Sequence, residues 1–111
     1  MRNKRIALDA KAIWNYGQIY TYEITYQFKK DCVIKSIAIV NNIDNTAIEI
    51  IDAIVIGGVV VIPAHKNNFI NNVSASSLYP EKLFINVKKG EIIKSLFDKS
   101  VTVVINIKED E

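Results

Sequence analysis

Tyr20-Thr21-Tyr22-Glu23-Ile24-Thr25-Tyr26-Gln27-Phe28 decides the fold class of this chain. Tyr20, Tyr22, Ile24, Tyr26 and Phe28 alternate with Thr21, Glu23, Thr25 and Gln27. A strand sends successive side chains to opposite faces, so this order makes one apolar face and one polar face. A helix would scatter both sets around its axis. The residue types agree, because β-branched and aromatic side chains pack well on a pleated surface.

Downstream the same reading continues. Val33 to Val40 is a strand that is apolar on both sides, as expected of a central position. Asn41-Asn42-Ile43-Asp44-Asn45 is a turn by composition. Ala47 to Ile51 resumes as strand, with Asp52 a bend or bulge. Ala53 to Ile56 and Val59 to Ile62 flank Gly57-Gly58, which predicts a hairpin, since tight primed turns need positive φ. Pro63 closes the second run because it has no amide hydrogen for the ladder. Asn67 to Pro80 reads as loop. Leu83, Ile85 and Val87 alternate, Lys89-Gly90 turns, and Val101, Val103, Ile105 and Ile107 make a terminal strand. Glu91 to Ser100 reads two ways: Ile92, Ile93, Leu96 and Phe97 fit a helical face, and the segment also fits a short strand and turn. Upstream, Ile6, Leu8, Ala10, Ala12 and Trp14 alternate loosely, so residues 1–18 are either a first strand or an arm that pairs with a neighbour. The expectation is all-β: one domain over residues 1–111, an antiparallel β-sandwich, Ig-like or jelly-roll-like, of seven or eight short strands.

Composition supports that class. The chain has 111 residues, half of them hydrophobic, with a net charge of +2. That is enough apolar material for a core without disulfides. Isoleucine and valine dominate, while leucine occurs only at Leu8, Leu78, Leu83 and Leu96, which disfavours a helical domain. The low net charge argues against a dedicated DNA-binding domain. The longest apolar run, Ile48 to Ala64, is too short for a membrane helix and contains Glu49 and Asp52. The apolar stretch after Met1-Arg2-Asn3-Lys4-Arg5 is broken by Asp9 and Lys11, unlike a signal peptide. The reading is of a soluble intracellular product.

No catalytic, cofactor or metal site is expected. One Cys and one His cannot build a zinc site within one copy. His65 has no nucleophile or orienting acid in a recognisable motif, with Asp52 and Ser74 nearest in sequence. Cys32 opens a strand and reads as a small buried hydrophobe despite Lys29 and Lys30. Asp44 and Asn45 share a turn that lacks the alternating carboxylates of a calcium loop. Gly57-Gly58 is followed by no Gly-Lys-Ser/Thr, so it is no phosphate loop. Asn72-Val73-Ser74 fits the glycosylation pattern, without meaning in an intracellular product.

Two features suggest interfaces. Trp14, Tyr16, Tyr20, Tyr22 and Tyr26 cluster in sequence. Tyr20, Tyr22 and Tyr26 read first as a core face, with interface and ligand platform as alternatives. Trp14 and Tyr16 lie outside that strand and are the better interface candidates. The ends also carry opposite charge, with Arg2, Lys4, Arg5 and Lys11 at one and Glu109, Asp110 and Glu111 at the other. That pattern suits head-to-tail pairing between copies, with solvated tails the alternative. The interface candidates are therefore Arg2, Lys4, Arg5, Trp14 and Tyr16.

From Lys30 the chain runs Asp31-Cys32-Val33-Ile34-Lys35-Ser36-Ile37-Ala38-Ile39-Val40-Asn41, then Thr46-Ala47-Ile48, Ile62-Pro63-Ala64, Val87-Lys88-Lys89-Gly90-Glu91-Ile92 and Val101-Thr102-Val103-Val104-Ile105. Over about residues 30–108 this order resembles the small Ig-like β-sandwich structural proteins of tailed-bacteriophage virions. It departs from them at Lys29-Lys30-Asp31, where a Pro-Ala-Gly turn is common, and at Glu91, where Asp is usual. The resemblance implies a non-enzymatic virion component made in the bacterial cytoplasm: an auxiliary or decoration capsid protein, or else a neck or tail part. Its partners would be other virion proteins in multiple copies, with no direct contact to nucleic acid or membrane. A carbohydrate- or ligand-binding sandwich is the alternative.

Overall fold

The computed structural model describes residues 2–15, 19–44, 48–62, 76–77 and 85–109. These residues form ten strands and no helix: β1 (Arg2–Asp9), β2 (Lys11–Asn15), β3 (Ile19–Gln27), β4 (Cys32–Asn41), β5 (Ile50–Ile56), β6 (Val59–Ile62), β7 (Ser76–Ser77), β8 (Ile85–Val87), β9 (Ile92–Phe97) and β10 (Val101–Glu109). The count exceeds seven or eight because the N-terminal segment supplies two strands and Ser76–Ser77 a third, two-residue one.

Every pairing is antiparallel, in two sheets. The first has the order β1-β10-β4, with β7 and β8 sharing the far side of β4. The second has the order β2-β3-β9-β5-β6. The chain changes sheet at every connection except β2 to β3, β5 to β6 and β7 to β8. The pairs β1·β10, β3·β9, β4·β8 and β5·β6 therefore nest from the ends inward, as when a long two-stranded ribbon is folded over itself. That is jelly-roll order. An immunoglobulin-type sandwich distributes its strands differently, keeping A, B, E and D in one sheet. Of the two sandwich types expected, the jelly roll is the one formed.

The core lies between the sheets. From the first come Ile6, Ile34, Ile37, Ile39, Val101, Val103, Ile105 and Ile107. From the second come Ile24, Ile50, Ile54, Ile56, Ile62, Ile93 and Phe97, all buried in one cluster. β10 shows strict two-residue periodicity, with Val101, Val103, Ile105, Ile107 and Glu109 all turned inward. β4 would lose this phase without a correction. Ser36 pairs with Asn106 and Ile34 with Ile107, so Lys35 is one residue extra. This bulge resets the alternation from Cys32 and Ile34 to Ile37, Ile39 and Asn41.

β5 is irregular on both sides of Asp52, where its register against β9 shifts, as its sequence suggests. The buried Ser95 hydroxyl donates to the Asp52 carbonyl at 2.8 Å, which satisfies both groups at the distortion. The predicted hairpin turn is present, with Gly57 at φ 57° and Gly58 at φ 83°. A Cβ on Gly57 would also collide with the Glu91 carboxylate. Glu91 to Ser100 resolves as strand β9. Its apolar residues fall on both faces because β9 is flanked by β3 and β5, with Ile93 and Phe97 inward and Leu96 half-buried outward.

The N-terminal segment is integral to the fold. β1 pairs with β10 over its full length, Arg2 against Glu109 through Asp9 against Thr102. Ile6 enters the core, and Leu8 packs against it. After Ala10, whose amide donates to the Val101 carbonyl, the chain enters the second sheet as β2.

Candidate interaction surface

The β2–β3 hairpin positions the aromatic residues. Even-numbered residues of β3 face the core side: Ile24 and the following Phe28 are buried, while Tyr22 and Tyr26 are partly buried against the core. Tyr26 meets Phe28 edge-on at 5.3 Å. At the start of the strand this face leaves the core, and Tyr20 is 49% exposed. The pairing puts Trp14 directly opposite Tyr20. The two rings meet edge-to-face at 4.6 Å, and Trp14 is 56% exposed. The core-face expectation thus holds for Tyr22 and Tyr26 and not for Tyr20, which shares the surface of Trp14. Tyr16 lies outside the described residues.

The charged candidates divide. Arg2 and Lys4 project from β1 toward the buried Glu109 carboxylate, with Arg2 Nη2 3.2 Å and Lys4 Nζ 3.8 Å from its oxygens. The opposite charges at the chain ends therefore meet within one molecule at the buried Glu109; Asp110 and Glu111 lie outside the described residues. Arg5 points from the other face of β1 and donates from Nε to Asn106 Oδ1 at 3.5 Å.

The remaining candidates take structural places or lie outside the described residues. Cys32 is buried at the start of β4, as its sequence context suggests. Asp44 accepts from Asn41 Nδ2 at 3.0 Å and sits 3.7 Å from Lys99 Nζ. Asn41 Oδ1 in turn accepts from the amides of Ile43 and Asp44, so these side chains close a turn. Among the described residues, no group of three or more His, Cys, Asp or Glu could hold a metal ion. Among the described residues there is no helix, and so none long and apolar enough to cross a membrane. His65, Ser74 and the Asn72 acceptor lie outside the described residues.

Sequence reasoning missed three features. Val59 and Val60, in the outermost strand of the second sheet, are 66% and 57% exposed. They border a cleft of about 420 Å3 with Ile56, Val61, Ile85 and Glu91. The run Val59-Val60-Val61-Ile62 reads as core, and only its place at a sheet edge, a non-local property, exposes it. The burial of Glu109 was legible in principle, because the β10 alternation carries the inward phase through to position 109. The bulge at Lys35 has no local sequence signal.

Comparison with protein-family models, curated proteins and solved structures finds no match to this chain.

Proposed function

We propose that this chain is a non-enzymatic structural subunit that works by packing against other protein subunits. The setting, a tailed-phage virion with an auxiliary capsid role favoured over a neck or tail position, rests on the sequence resemblance alone, since the strand order is jelly-roll and not that of the Ig-like proteins resembled. The observation that carries the reading is the exposed Trp14–Tyr20 pair of the β2–β3 hairpin, whose β2 is an edge strand with no partner on its outer side among the described residues. Large aromatic rings are enriched at interfaces because they supply contact area at low conformational cost. An open strand edge offers backbone groups for pairing with another chain. The jelly-roll order is compatible with this role, since capsid domains use it, but lectins use it too, and function rests on the surface and not on the fold. Many copies on a particle need only weak contacts each, because avidity multiplies them.

Sedimentation velocity of the purified chain over a range of concentrations tests this. The expected result is concentration-dependent self-association that Trp14→Ser with Tyr20→Ser abolishes while the circular dichroism spectrum stays unchanged. A strict monomer that binds glycans through Trp14 would replace this reading with the carbohydrate-binding one.

A further inference from the structure

Sandwich strands normally alternate inward apolar residues with outward polar ones. The outer face of the first sheet departs from this at its centre. β1 turns Arg5, Ala7 and Asp9 outward, out of phase with the core residue Ile6, and β10 turns Thr102, Val104 and Asn106 outward. Register arranges these residues in rows across the sheet. The middle row is Ala7, Val104 and Ala38, all apolar and short. On one side lies the row Arg5, Asn106 and Ser36, in which Arg5 Nε donates to Asn106 Oδ1 at 3.5 Å and Asn106 Nδ2 donates to Ser36 Oγ at 2.9 Å. On the other side Asp9 pairs with Thr102. The Thr102 hydroxyl donates to Asp9 Oδ1 at 2.7 Å and accepts from Asn42 Nδ2 at 3.1 Å.

Both rows are held by bonds within the face, and each keeps one charge turned to solvent. Arg5 spends only Nε on its bond and Asp9 only Oδ1, and both residues are exposed. Arg5 stands in a shallow groove of about 440 Å3 lined from β1, β4 and β10, which leaves room for a carboxylate beside its guanidinium. Arg5 and Asp9 lie two residues to either side of Ala7 on β1. A twofold axis along the Ala7–Val104–Ala38 row therefore reverses the strands of a second copy laid on this face. It sets Arg5 of each copy over Asp9 of the other, and it brings Val104 against Val104, where short side chains allow close approach. A twofold interface makes each such contact twice, and a planar guanidinium meets a carboxylate with paired donors. The other axis in the plane of the sheet, along β10, would lay β1 over β4 and Arg5 over Ser36, with no match of charge.

From this self-complementarity we infer that the outer face of the first sheet stacks on the same face of a second copy, about the axis that pairs Arg5 with Asp9. The inference goes beyond the aromatic-edge reading, since it uses other strands and other residues. The face is three strands wide, small for a permanent interface. It joins copies where their local concentration is already high, as in an assembly built through another contact. Dispersed chains that lack the aromatic edge stay apart in dilute solution.

Carbodiimide coupling of the full chain at high concentration is the test. The chain carries Arg5→Lys, whose amine condenses with a carboxylate in direct contact. Unlabelled and isotope-labelled chains are mixed in equal parts, so that mass spectrometry separates links between copies from links within one. The expected product is a mixed-isotope link between the new amine and Asp9. Asp9→Asn should remove it. Val104→Glu should also remove it, because it sets two like charges against each other on the axis. Arg5→Asp combined with Asp9→Lys exchanges the two charges and should restore the link with its ends reversed. All these positions face outward, and unchanged circular dichroism spectra would show that the variants fold. Absence of the mixed-isotope link, or a link that survives Val104→Glu, would overturn the inference and leave this face to solvent or to a different partner. Trp14-dependent association in sedimentation without the link would sink the stacking and spare the aromatic edge. The link without such association would do the reverse.

Discussion

β1 and β2 are separated by Ala10 alone, and each is an edge strand of a different sheet. They treat their edges in opposite ways. β1 carries Arg2, Lys4 and Arg5, anchors Ile6 in the core, and ties Arg2 and Lys4 to the buried Glu109. Charged side chains on an edge discourage pairing with another chain. β2 has one charge, Lys11, and presents Trp14 to solvent beside Tyr20. The contrast teaches that a stretch readable as a single arm divides into a strand that completes the sandwich and a strand that offers a surface.

Deleting residues 2–9 is the most severe way to test that division. It removes Ile6 from the core and bares the full length of β10, whose inner face is Val101, Val103, Ile105 and Ile107. The expected result is loss of cooperative unfolding in a thermal melt, because native stability is only about 5–15 kcal/mol. A truncated chain that still melts cooperatively would return β1 to the status of an arm. Ile6→Ala asks the same question more gently. At 8% exposure it should cost about 2 kcal/mol, the lower end for truncating a core isoleucine. Urea denaturation showing no change would mean that Ile6 contributes nothing to the core.

Glu109→Gln probes the ion pairs. Its partners are mostly exposed, with Arg2 and Lys4 side chains at 61% and 41%, so they rehydrate when the carboxylate is lost. The expected destabilisation is about 1 kcal/mol, shrinking at high salt. A salt-independent loss would instead point to packing of the side chain. On the other strand, Thr21 pairs with Ile13 of β2 and buries a hydroxyl with no hydrogen-bond partner. Thr21→Val should therefore be neutral or stabilise by up to about 1 kcal/mol, since no bond is broken and a buried unpaired hydroxyl is removed. A clear loss of stability would reveal a partner for that hydroxyl.

The sequence made some of this legible and hid the rest for identifiable reasons. β3, the inner half of β10 and the Gly57-Gly58 hairpin follow from local alternation and turn chemistry. The Asp52 irregularity follows from one acid inside an apolar run. β1 is obscure because Arg2 and Lys4 occupy the inward phase alongside Ile6 and Leu8, and a cation turned toward a buried acid looks the same in sequence as one turned to water. The choice between Ig-like and jelly-roll order depends on which distant strands pair, and each strand's own pattern is the same in both. Among the interface candidates, exposure of Trp14 was readable from its place outside the strand of tyrosines. The groove around Arg5 was not, because it needs side chains from β1, β4 and β10, which lie far apart in the sequence.

Hydrogen–deuterium exchange of the dispersed and the self-associated chain tests the central claim most directly. The account predicts that the β1 amides directed at β10 exchange slowly in both states, whereas the β2 amides on the side away from β3 gain protection only on association. Protection of β1 appearing only on association, with β2 unaffected, would contradict it.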